Sequence, residues 1–409
     1  MLNFTGIAIF IGTYVLISLR RLSFLKIDRP AAALLGAVLC VVFKVLSPEQ
    51  AAGAVDGSTL LLLFGVMGMG AFLSVDGFFD DVEVKLVALA KTPARLIGFI
   101  VWGAGILSAF ITNDAVCVLG APLVVRLIQR QKLVPLPFLL ALATAANTGS
   151  AATLVGNPQN MLCAMLGGLS YREHFLFVGP IAVVGLAINH LLLLGLYRGQ
   201  LGGALESNAC SRSWLNRRTA TSMAVIVATA VAYMMGAHLA WSAAAGFVAM
   251  MLLHRRDTRV LWGHIDWSIL LFFAGLFVVV EAFLKSGGPA WLFSRLPVMS
   301  AVTGIASYLR VSSLFLVGSN MVSNVPFILV VKSQMAALPN PRLGWELLAM
   351  VSTFAGNLTL LGSVANIIVA ENARDLGGIG FWSYLRLGLP VALLTTLFGT
   401  LYLVTFWPM

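Results

Sequence analysis

Apolar residues form long runs along this chain, and polar residues are confined to short stretches between and within these runs. Runs of spanning length begin near residues 4, 31, 58, 136, 174, 219, 239, 267, 344 and 383. A helix that crosses a bilayer needs about 20 predominantly apolar residues and satisfies its backbone hydrogen bonds internally. The pattern therefore predicts an all-α polytopic membrane protein without a long soluble segment.

The composition supports this class and narrows the function. The 409 residues are 59% hydrophobic and 10% charged, whereas soluble domains carry about 25% charged residues. No G-x-x-x-x-G-K-[ST] loop is present, so an ion gradient or a partner chain would have to drive transport. The polar stretches hold no credible nucleophile, and the histidines lack metal-ligand spacing. We therefore expect neither an enzyme nor a metal site, and no cofactor besides a coupling ion.

The net charge of +10 lies in separate loops rather than in one patch, which argues against nucleic-acid binding. By the positive-inside rule, basic loops between spans are cytoplasmic. This rule predicts a multi-pass protein of the cell inner (plasma) membrane with both termini outside. The three defining loops contain Arg20, Arg21, Lys26 and Arg29, then Arg198, Arg212, Arg217 and Arg218, then Arg255, Arg256 and Arg259.

A glycine-centred polar motif occurs twice, as TLVGNPQN at residues 153–160 and as TLLGSVAN at residues 359–366. Further matches at a similar offset align Gly36 with Gly246 and Thr112 with Ser323. They predict a first repeat at residues 1–200, a cytoplasmic linker at 201–218 and a second repeat at 219–409. An odd number of crossings in each half would invert the second repeat relative to the first.

Each repeat is predicted to hold five spans, a re-entrant helical hairpin and a broken helix. The first hairpin joins apolar arms 96–112 and 114–129 at Thr112-Asn113-Asp114, and the second, 307–332, turns at Ser323-Asn324. Hairpins entering from opposite faces would bring both tips near the midplane of the membrane. Arms that cross completely would leave the number of crossings odd, so the inversion does not depend on this choice.

The predicted substrate site consists of the two hairpin tips and the two helix breaks, the first at residues 147–160 and the second at 357–366. Side-chain oxygens, amides and freed carbonyls suit a small oxygen-bearing solute or an alkali cation, and helix N-termini suit an anion. The alternative is that these residues only join helices to one another, which is common in membranes. The candidate residues are Thr112, Asn113, Asn147, Thr148, Gly156, Asn157, Asn160, Ser323, Asn324, Asn357, Thr359, Gly362, Ser363 and Asn366.

Asp114 is the candidate coupling group. A carboxylate between two apolar arms is costly unless a proton, a cation or a permanent partner accompanies it, so it would bind a proton or a sodium ion. The alternative is that Asp114 caps the second arm of its hairpin through free backbone N–H groups. The second half has Val325 at the corresponding position, which leaves a single coupling acid.

The other acids are predicted to be structural. Glu281 lies four residues before Lys285 and is expected to form an ion pair with it on one helix face. The acids at the ends of spans are interpreted as solvated anchors or helix caps: Asp56, Asp76, Asp266 and Glu346. Sulfur near the polar stretches would suit trivalent arsenic, although filling of apolar gaps is the favoured interpretation. These residues are Met67, Met69, Cys117, Met161, Met165, Met321 and Met350.

Four segments resemble a known group of transporters: AFITNDAV at 109–116, TLVGNPQN at 153–160, SNMVSNVP at 319–326 and AGNLTLLGS at 355–363. They are similar to the ion transporter superfamily, in its arsenite permease/NhaD-like (ArsB/NhaD) group, which is related to the divalent-anion/sodium symporters. The resemblance implies a scaffold and a moving unit of hairpin and broken helix, with substrate between the hairpin tips. The dicarboxylate branch has Ser-Asn-Thr at both tips, whereas this chain has Thr112-Asn113-Asp114 and Ser323-Asn324-Val325, more like the arsenite permeases.

Three functions follow as hypotheses. The leading one is proton-coupled efflux of arsenite and antimonite by alternating access, with small inorganic solutes and membrane lipid as the partners. The second is sodium- or proton-coupled transport of an inorganic anion or a dicarboxylate. The third is the membrane channel subunit of an ATPase-driven pump, in which the basic linker and first loop would dock a cytoplasmic ATPase subunit.

Overall fold

A computed structural model describes residues 2–18, 27–205, 217–255, 257–295, 302 and 304–407. Within these ranges the chain forms α-helices and short 3-10 helices and no strand, which confirms the all-α prediction. Most of the predicted linker and several residues of the basic loops lie outside the described residues. They are residues 206–216 and Arg20, Arg21, Lys26 and Arg256.

The described part of the first half contains ten α-helices. They are α1 (Phe4–Ser18), α2 (Arg29–Val42), α3 (Pro48–Ala54), α4 (Gly57–Val75), α5 (Phe78–Ala90), α6 (Pro93–Phe110), α7 (Asn113–Gln131), α8 (Pro135–Ser150), α9 (Pro158–Gly167) and α10 (Tyr171–Tyr197).

The described part of the second half contains ten more α-helices. They are α11 (Arg217–Met234), α12 (Leu239–His254), α13 (Arg259–Trp262), α14 (Trp267–Lys285), α15 (Gly288–Arg295), α16 (Ile305–Val322), α17 (Asn324–Val331), α18 (Pro341–Ala355), α19 (Val364–Asn372) and α20 (Phe381–Phe406). Short 3-10 helices at Lys332–Ala337 and Leu360–Gly362 follow α17 and precede α19.

The helices begin where the apolar runs predict, within three residues of each of the ten expected starts. Among the described residues, five helices are long and apolar enough to cross a membrane. They are Gly57–Val75, Pro93–Phe110, Tyr171–Gln200, Trp267–Lys285 and Phe381–Phe406. The chain is a multi-pass membrane protein. The limits of the two repeats, their inversion and the re-entrant character of the hairpins stay predictions.

The contacts between the two halves occur in equivalent pairs of helices. Helix α4 packs on α12, and its counterpart α14 packs on α2; likewise α7 contacts α19 and α17 contacts α9. The first contact depends on glycine, because a Cβ at Gly65 would lie 2.6 Å from the carbonyl carbon of Ala243. At the equivalent Gly275 it would lie 2.8 Å from that of Ala33. Small residues at such crossings let two helix backbones approach closely.

Polar side chains start the helices that lead to the predicted site. Thr112 Oγ1 accepts a hydrogen bond from the backbone N–H of Ala115 at 3.3 Å and caps α7. Asn157 Oδ1 accepts from the N–H of Asn160 at 2.8 Å and caps α9, which then begins with a proline. Ser363 caps α19 in the same manner. Each side chain satisfies a backbone donor that a helix start would otherwise leave unpaired.

Three of the predictions for the outlying acids are correct. Asp56 Oδ1 accepts from the N–H of Thr59 at 2.7 Å, and Asp266 Oδ1 accepts from the N–H groups that begin α14, so both are helix caps. Glu281 forms the expected ion pair with Lys285, at 3.9 Å between Oε1 and Nζ. Glu281 Oε2 also lies 4.0 Å from Nζ of Lys332, on the 3-10 helix after α17.

The interpretation of Asp76 and Glu346 as solvated is wrong. Asp76 is buried, and its Oδ2 lies 3.0 Å from Nε2 of His254. Glu346 is fully buried, and its Oε2 lies 2.5 Å from Nδ1 of His174. In both cases the carboxylate contacts a histidine from a helix that is distant in the sequence. The position of an acid at the end of an apolar run does not predict such a contact.

Candidate functional site

The two helix breaks meet face to face and bond to each other through equivalent positions. Asn147, near the end of α8, donates from Nδ2 to Oδ1 of Asn366 at 2.9 Å, and its Oδ1 accepts from Ser363 Oγ at 3.0 Å. Thr353, near the end of α18, donates to Oδ1 of Asn160 at 2.8 Å and accepts from Nδ2 of Asn157 at 2.9 Å. Each half thus holds the other half's break with the same two bonds.

Asn160 and Asn366 satisfy the carbonyls that the breaks expose. Asn160 Nδ2 donates to the carbonyl oxygens of Ser150 and Thr153 at 3.2 and 3.0 Å. Asn366 Nδ2 donates to those of Gly356 and Thr359 at 2.7 and 3.2 Å. Unwound backbone at membrane depth persists only where such partners exist. These two asparagines therefore act as internal braces, which is the structural alternative considered for the motifs.

Three further predicted residues complete this frame. Asn357 Nδ2 donates to Thr148 Oγ1 at 2.9 Å and to the carbonyl of Thr144 at 3.3 Å, and Asn147 Nδ2 donates to Asn357 Oδ1 at 3.1 Å. Thr359 Oγ1 donates to Oδ1 of Asn320 at 3.0 Å. Asn157, Thr148 and Asn357 are buried among side chains of both halves, so they position the breaks.

The glycines of the two motifs bring each hairpin tip onto its own break. The backbone N–H of Asn113 donates to the carbonyl of Gly156 at 2.9 Å, and Asn324 Nδ2 reaches the carbonyl of Gly362 at 3.5 Å. A side chain would not fit at either glycine, since a Cβ at Gly362 would lie 2.6 Å from Nδ2 of Asn320. At Gly156 it would overlap the carbonyl of Ser150.

The hydrogen bonds determine which amide atom each asparagine presents to its neighbours. Asn366 gives its Nδ2 to two carbonyls, so its Oδ1 faces Asn147, which must donate with Nδ2. The Oδ1 of Asn147 is then left to accept from Nδ2 of Asn113, at 2.9 Å. Asn113 therefore turns its own Oδ1 away from this chain of bonds. By the same reasoning Asn324, which donates to the Gly362 carbonyl, keeps its Oδ1 free.

A cavity of about 80 Å³ lies between the two hairpin tips. Its lining includes Asn113, Ser323 and Asn324 from the tips, with Gly362 and Ser363 from the second break. The Oδ1 atoms of Asn113 and Asn324 are buried and have no hydrogen-bond partner among the described residues. Buried acceptors of this kind normally have a partner, and these two belong to residues at equivalent hairpin positions that line one cavity.

Asp114 lines this tip cavity and also a larger neighbouring cavity of about 360 Å³. The larger cavity is also lined by Ser74, Thr112, His264 and Asp266. Among the described carboxylates, Asp114 is the one that lines both cavities. This arrangement keeps Asp114 as the candidate coupling residue.

The alternative cap role of Asp114 applies to a different helix from the one expected. The second hairpin arm, α7, is capped by Thr112. The Asp114 carboxylate instead interacts with the backbone N–H of Ala365, in the first turn of α19 in the other half. A helix N-terminus stabilises a negative charge through its free N–H groups and its dipole. A hydropathy pattern does not show which distant helix start will face an acid.

Two charged residues at the site were not predicted to be there. Arg29, interpreted as part of a cytoplasmic basic loop, is the first residue of α2 and lines the tip cavity. Asp266, predicted as a cap, also lines the larger cavity. Both interact electrostatically with Asp114. The sequence Asp28-Arg29-Pro30, an N-cap residue followed by a proline in the first turn, is typical of a helix start. This signal predicts that Arg29 lies on a helix rather than in the loop.

The sulfur residues mostly fill space. Met161, Met350 and Cys117 are fully buried in the packing, and Met321 is exposed. Met67 lines the larger cavity. The filler interpretation therefore holds for the three buried residues, Met161, Met350 and Cys117.

A family profile described as "Citrate transporter", CitMHS, matches residues 14–355, which is well over half of the chain. The chain belongs to the CitMHS family. This result confirms the resemblance to the ion transporter superfamily, and it makes the protein a secondary membrane transporter rather than an enzyme.

Named relatives of this CitMHS transporter align over nearly their full length. The "Silicon efflux transporter LSI3" of Oryza sativa is 32% identical, covering 92% of each chain. The "Putative transporter arsB" of Dictyostelium discoideum is 26% identical, covering 92% of this chain and 87% of that protein. The "46 kDa membrane protein" of Mycobacterium leprae is 26% identical over 97% of both.

Two solved transporters share the fold. The YdaH transporter of Alcanivorax borkumensis superposes with a TM-score of 0.57 at 16% identity, covering 99% of this chain and 98% of that one. MtrF of Neisseria gonorrhoeae gives 0.58 at 12% identity, covering 90% and 84%. At these identities the likeness establishes architecture only.

Proposed function

We propose that this CitMHS transporter exports small uncharged inorganic hydroxy acids in exchange for protons, by alternating access in the inner (plasma) membrane. Arsenous acid and antimonous acid, the neutral forms of arsenite and antimonite, are the first candidates. Both termini are proposed to lie outside. Asp114 carries the coupling proton, and the two asparagine tips bind the solute.

The pair of free acceptors at the tips supports this proposal most directly. The Oδ1 atoms of Asn113 and Asn324 require hydrogen-bond donors, and each hydroxyl group of an uncharged hydroxy acid is a donor. An ionised carboxylate only accepts hydrogen bonds. It would leave both oxygens unpaired, and its charge would meet that of Asp114 in the same cavity. Unpaired buried groups and like charges both oppose binding.

The relatives give independent support. One is named for silicon efflux and another for arsB. Silicon and arsenic both form small uncharged hydroxy acids, so a site that recognises hydroxyl donors rather than one element would account for both names. Silicic acid is therefore a further candidate substrate for this chain.

A citrate carrier is the second candidate, favoured by the description of the family profile. The charges at the site argue against it. The Asp114 carboxylate interacts electrostatically with a second carboxylate, Asp266, and with the guanidinium of Arg29 at the cavities. This arrangement would repel a polyanion unless a bound cation neutralised it.

Flux into everted vesicles tests the proposal. With the protein reconstituted and the vesicle interior made acidic, arsenite and antimonite should accumulate, and collapsing the pH gradient should stop them. Silicic acid, citrate, succinate and sodium are measured in parallel. Citrate accumulation without any arsenite or silicic acid flux would contradict the proposal and favour the second candidate. Solute flux that does not depend on the gradient would indicate a passive channel, as expected for the membrane subunit of an ATPase-driven pump.

A further inference from the structure

The most completely buried ionisable pair that the structure describes lies away from the tip cavity. His174 is in the first turn of α10, and Glu346 is in α18, so the pair joins the two halves. Neither side chain is accessible, and their Nδ1 and Oε2 atoms are 2.5 Å apart. Ionisable residues are costly inside a membrane protein and usually mark function there.

The protons of this pair follow from its partners. His174 Nε2 lies 2.9 Å from the carbonyl oxygen of Ala151, and a carbonyl only accepts, so Nε2 carries a hydrogen. The short contact from Nδ1 to Glu346 requires one more proton, on either the nitrogen or the oxygen. The pair therefore holds one shared proton and is neutral overall. Glu346 Oε1 is buried without a hydrogen-bond partner among the described residues.

The pair holds the first helix break in place. Ala151 is the C-cap residue that directly follows α8, where the unwound segment begins. Glu346 and Thr353 are seven residues apart on α18, hence on one helix face. Thr353 bonds to the asparagines of the first break, and Glu346 reaches the same break through His174. Two positions on α18, Glu346 and Thr353, thus hold the first break.

The second half lacks this pair. Aligning the starts of α10 and α20, 210 residues apart, matches His174 with Tyr384, and aligning those of α8 and α18, 206 residues apart, matches Glu346 with Leu140; neither Tyr384 nor Leu140 is charged at neutral pH. The second half therefore has no ionisable pair at the matching positions. The ionisable version in one half repeats the asymmetry of Asp114 and Val325.

We infer that His174 and Glu346 form a second proton site, separate from Asp114, whose shared proton keeps the first break docked on α18. When the pair parts, water replaces the partner with which each group shared that proton. One proton then leaves for the solvent, and docking takes one up again. Rising pH should therefore favour the undocked state. The inference does not depend on the identity of the solute.

The other titratable groups on the helices around the pair include Tyr384, Arg386 and Tyr402 of α20, which packs on both α10 and α18. Helix α8 has none, and α9 contributes the thiol of Cys163, which interacts with Glu346. On α10 the nearest in sequence are Tyr171, whose hydroxyl interacts with Thr153, and the neighbouring Arg172 and Glu173. On α18, Arg342 lies one turn before Glu346 and is exposed.

Cys163 provides the measurement, because it is fully buried at this break and free. Undocking should expose it to N-ethylmaleimide, and peptide mass spectrometry resolves it from the other cysteines. The key variant is Glu346→Gln, since a glutamine amide can donate to neutral Nδ1 while Nε2–H still donates to Ala151. All hydrogen bonds are kept, and the shared proton is lost.

Labelling of the full-length protein is followed between about pH 6 and pH 9. The ratio of wild-type to Glu346→Gln labelling removes the intrinsic pH dependence of the thiol. We expect this ratio to rise with pH, by up to about tenfold per pH unit for one linked proton. A constant ratio would overturn the inference. The matched control is His254→Gln, in the other buried histidine–carboxylate pair. An equal rise with pH in the ratio of wild-type to His254→Gln labelling would also overturn the inference.

The experiment needs no transported solute, so its outcome is separate from that of the proposed function. If Glu346→Gln fails to fold, wild-type labelling at Cys163 is normalised to labelling at Cys40, a buried free thiol on α2. The same rise with pH supports the inference, and a flat profile contradicts it.

Discussion

Asn147 in the first half donates a hydrogen bond to Asn366 in the second, with 2.9 Å between Nδ2 and Oδ1. The same position in the other half, Thr353, donates to Asn160 at 2.8 Å. The polar motif that repeats in the sequence is thus also a mutual contact. Each break is braced by the helix end of the opposite half, so a movement of one break must be accommodated by the other.

Replacing Asn147 tests this brace. Asn147→Leu keeps the approximate size of the side chain but leaves Asn113 Nδ2 and Asn366 Oδ1 without their partner. An unsatisfied buried polar group costs about 1–3 kcal/mol, so the melting temperature in detergent should fall clearly. Thr353→Val should cause a similar fall from the other half. Wild-type melting of both variants would contradict the reciprocal arrangement.

Asp114→Asn should separate solute binding from proton coupling. The variant removes the ionisable group that lines both cavities while keeping its shape. We expect arsenite accumulation driven by a pH gradient to fall by at least about tenfold, the effect of losing about 1.4 kcal/mol of driving interaction. Downhill exchange of solute should persist.

Asp56→Asn is the control for this variant, because Asp56 caps α4 and asparagine caps a helix about as well as aspartate. Its accumulation should match wild type. Full gradient-driven accumulation by Asp114→Asn would assign coupling to another group.

The interaction between Arg29 and Asp114 can be measured with a double-mutant cycle. Both line the tip cavity and interact electrostatically. Arg29→Gln should destabilise the wild-type protein more than it destabilises Asp114→Asn, with a coupling energy of about 1 kcal/mol. The measurement is thermal unfolding of the four proteins at one pH. Additive effects would mean that Arg29 is only a solvated topology determinant.

The sequence predicted the helices and the polar residues of the site, because both arise from local patterns. Apolar runs must become helices in hydrocarbon, and repeated Asn, Ser and Gly residues mark where helices are interrupted. The structure divides these residues by role. Hydrogen bonds between the two halves involve Asn147, Asn157, Asn160 and Asn366. The tip asparagines, Asn113 and Asn324, each keep a free oxygen.

The missed features depend on helices far apart in the sequence. Glu346 is 172 residues from His174, and Asp76 is 178 residues from His254. Arg29 appeared as one more basic residue in a loop, since its place beside Asp114 depends on how α2 packs against other helices. Side-chain pairing across a fold is set by tertiary packing, which spacing along one chain does not reveal.

Ser323 at the second hairpin tip has an unusual backbone conformation, with φ of +81°. A non-glycine residue at such an angle costs about 1–3 kcal/mol, and such strain is concentrated at functional sites. Ser323→Gly should therefore raise the melting temperature while reducing transport, because it removes a hydroxyl from the lining of the tip cavity. Thr112→Gly, at the corresponding tip with an ordinary φ of −65°, should lower the melting temperature. A fall for both variants would argue against strain at Ser323.

Gly65 and Gly275 should tolerate no side chain, because α4 and α14 each cross a helix of the other half there. A Cβ at Gly65 would lie 2.6 Å from backbone of Ala243, which cannot move aside as a flexible side chain can. Overpacking of this kind costs about 1–3 kcal/mol, so Gly65→Ala and Gly275→Ala should each lower the melting temperature. Gly12→Ala is the matched control, since its Cβ would meet no atom within 4 Å. Alanine favours a helix by up to about 1 kcal/mol over glycine, so that variant should be stabilised. Equal stabilisation of all three variants would show that the two crossings are looser than described.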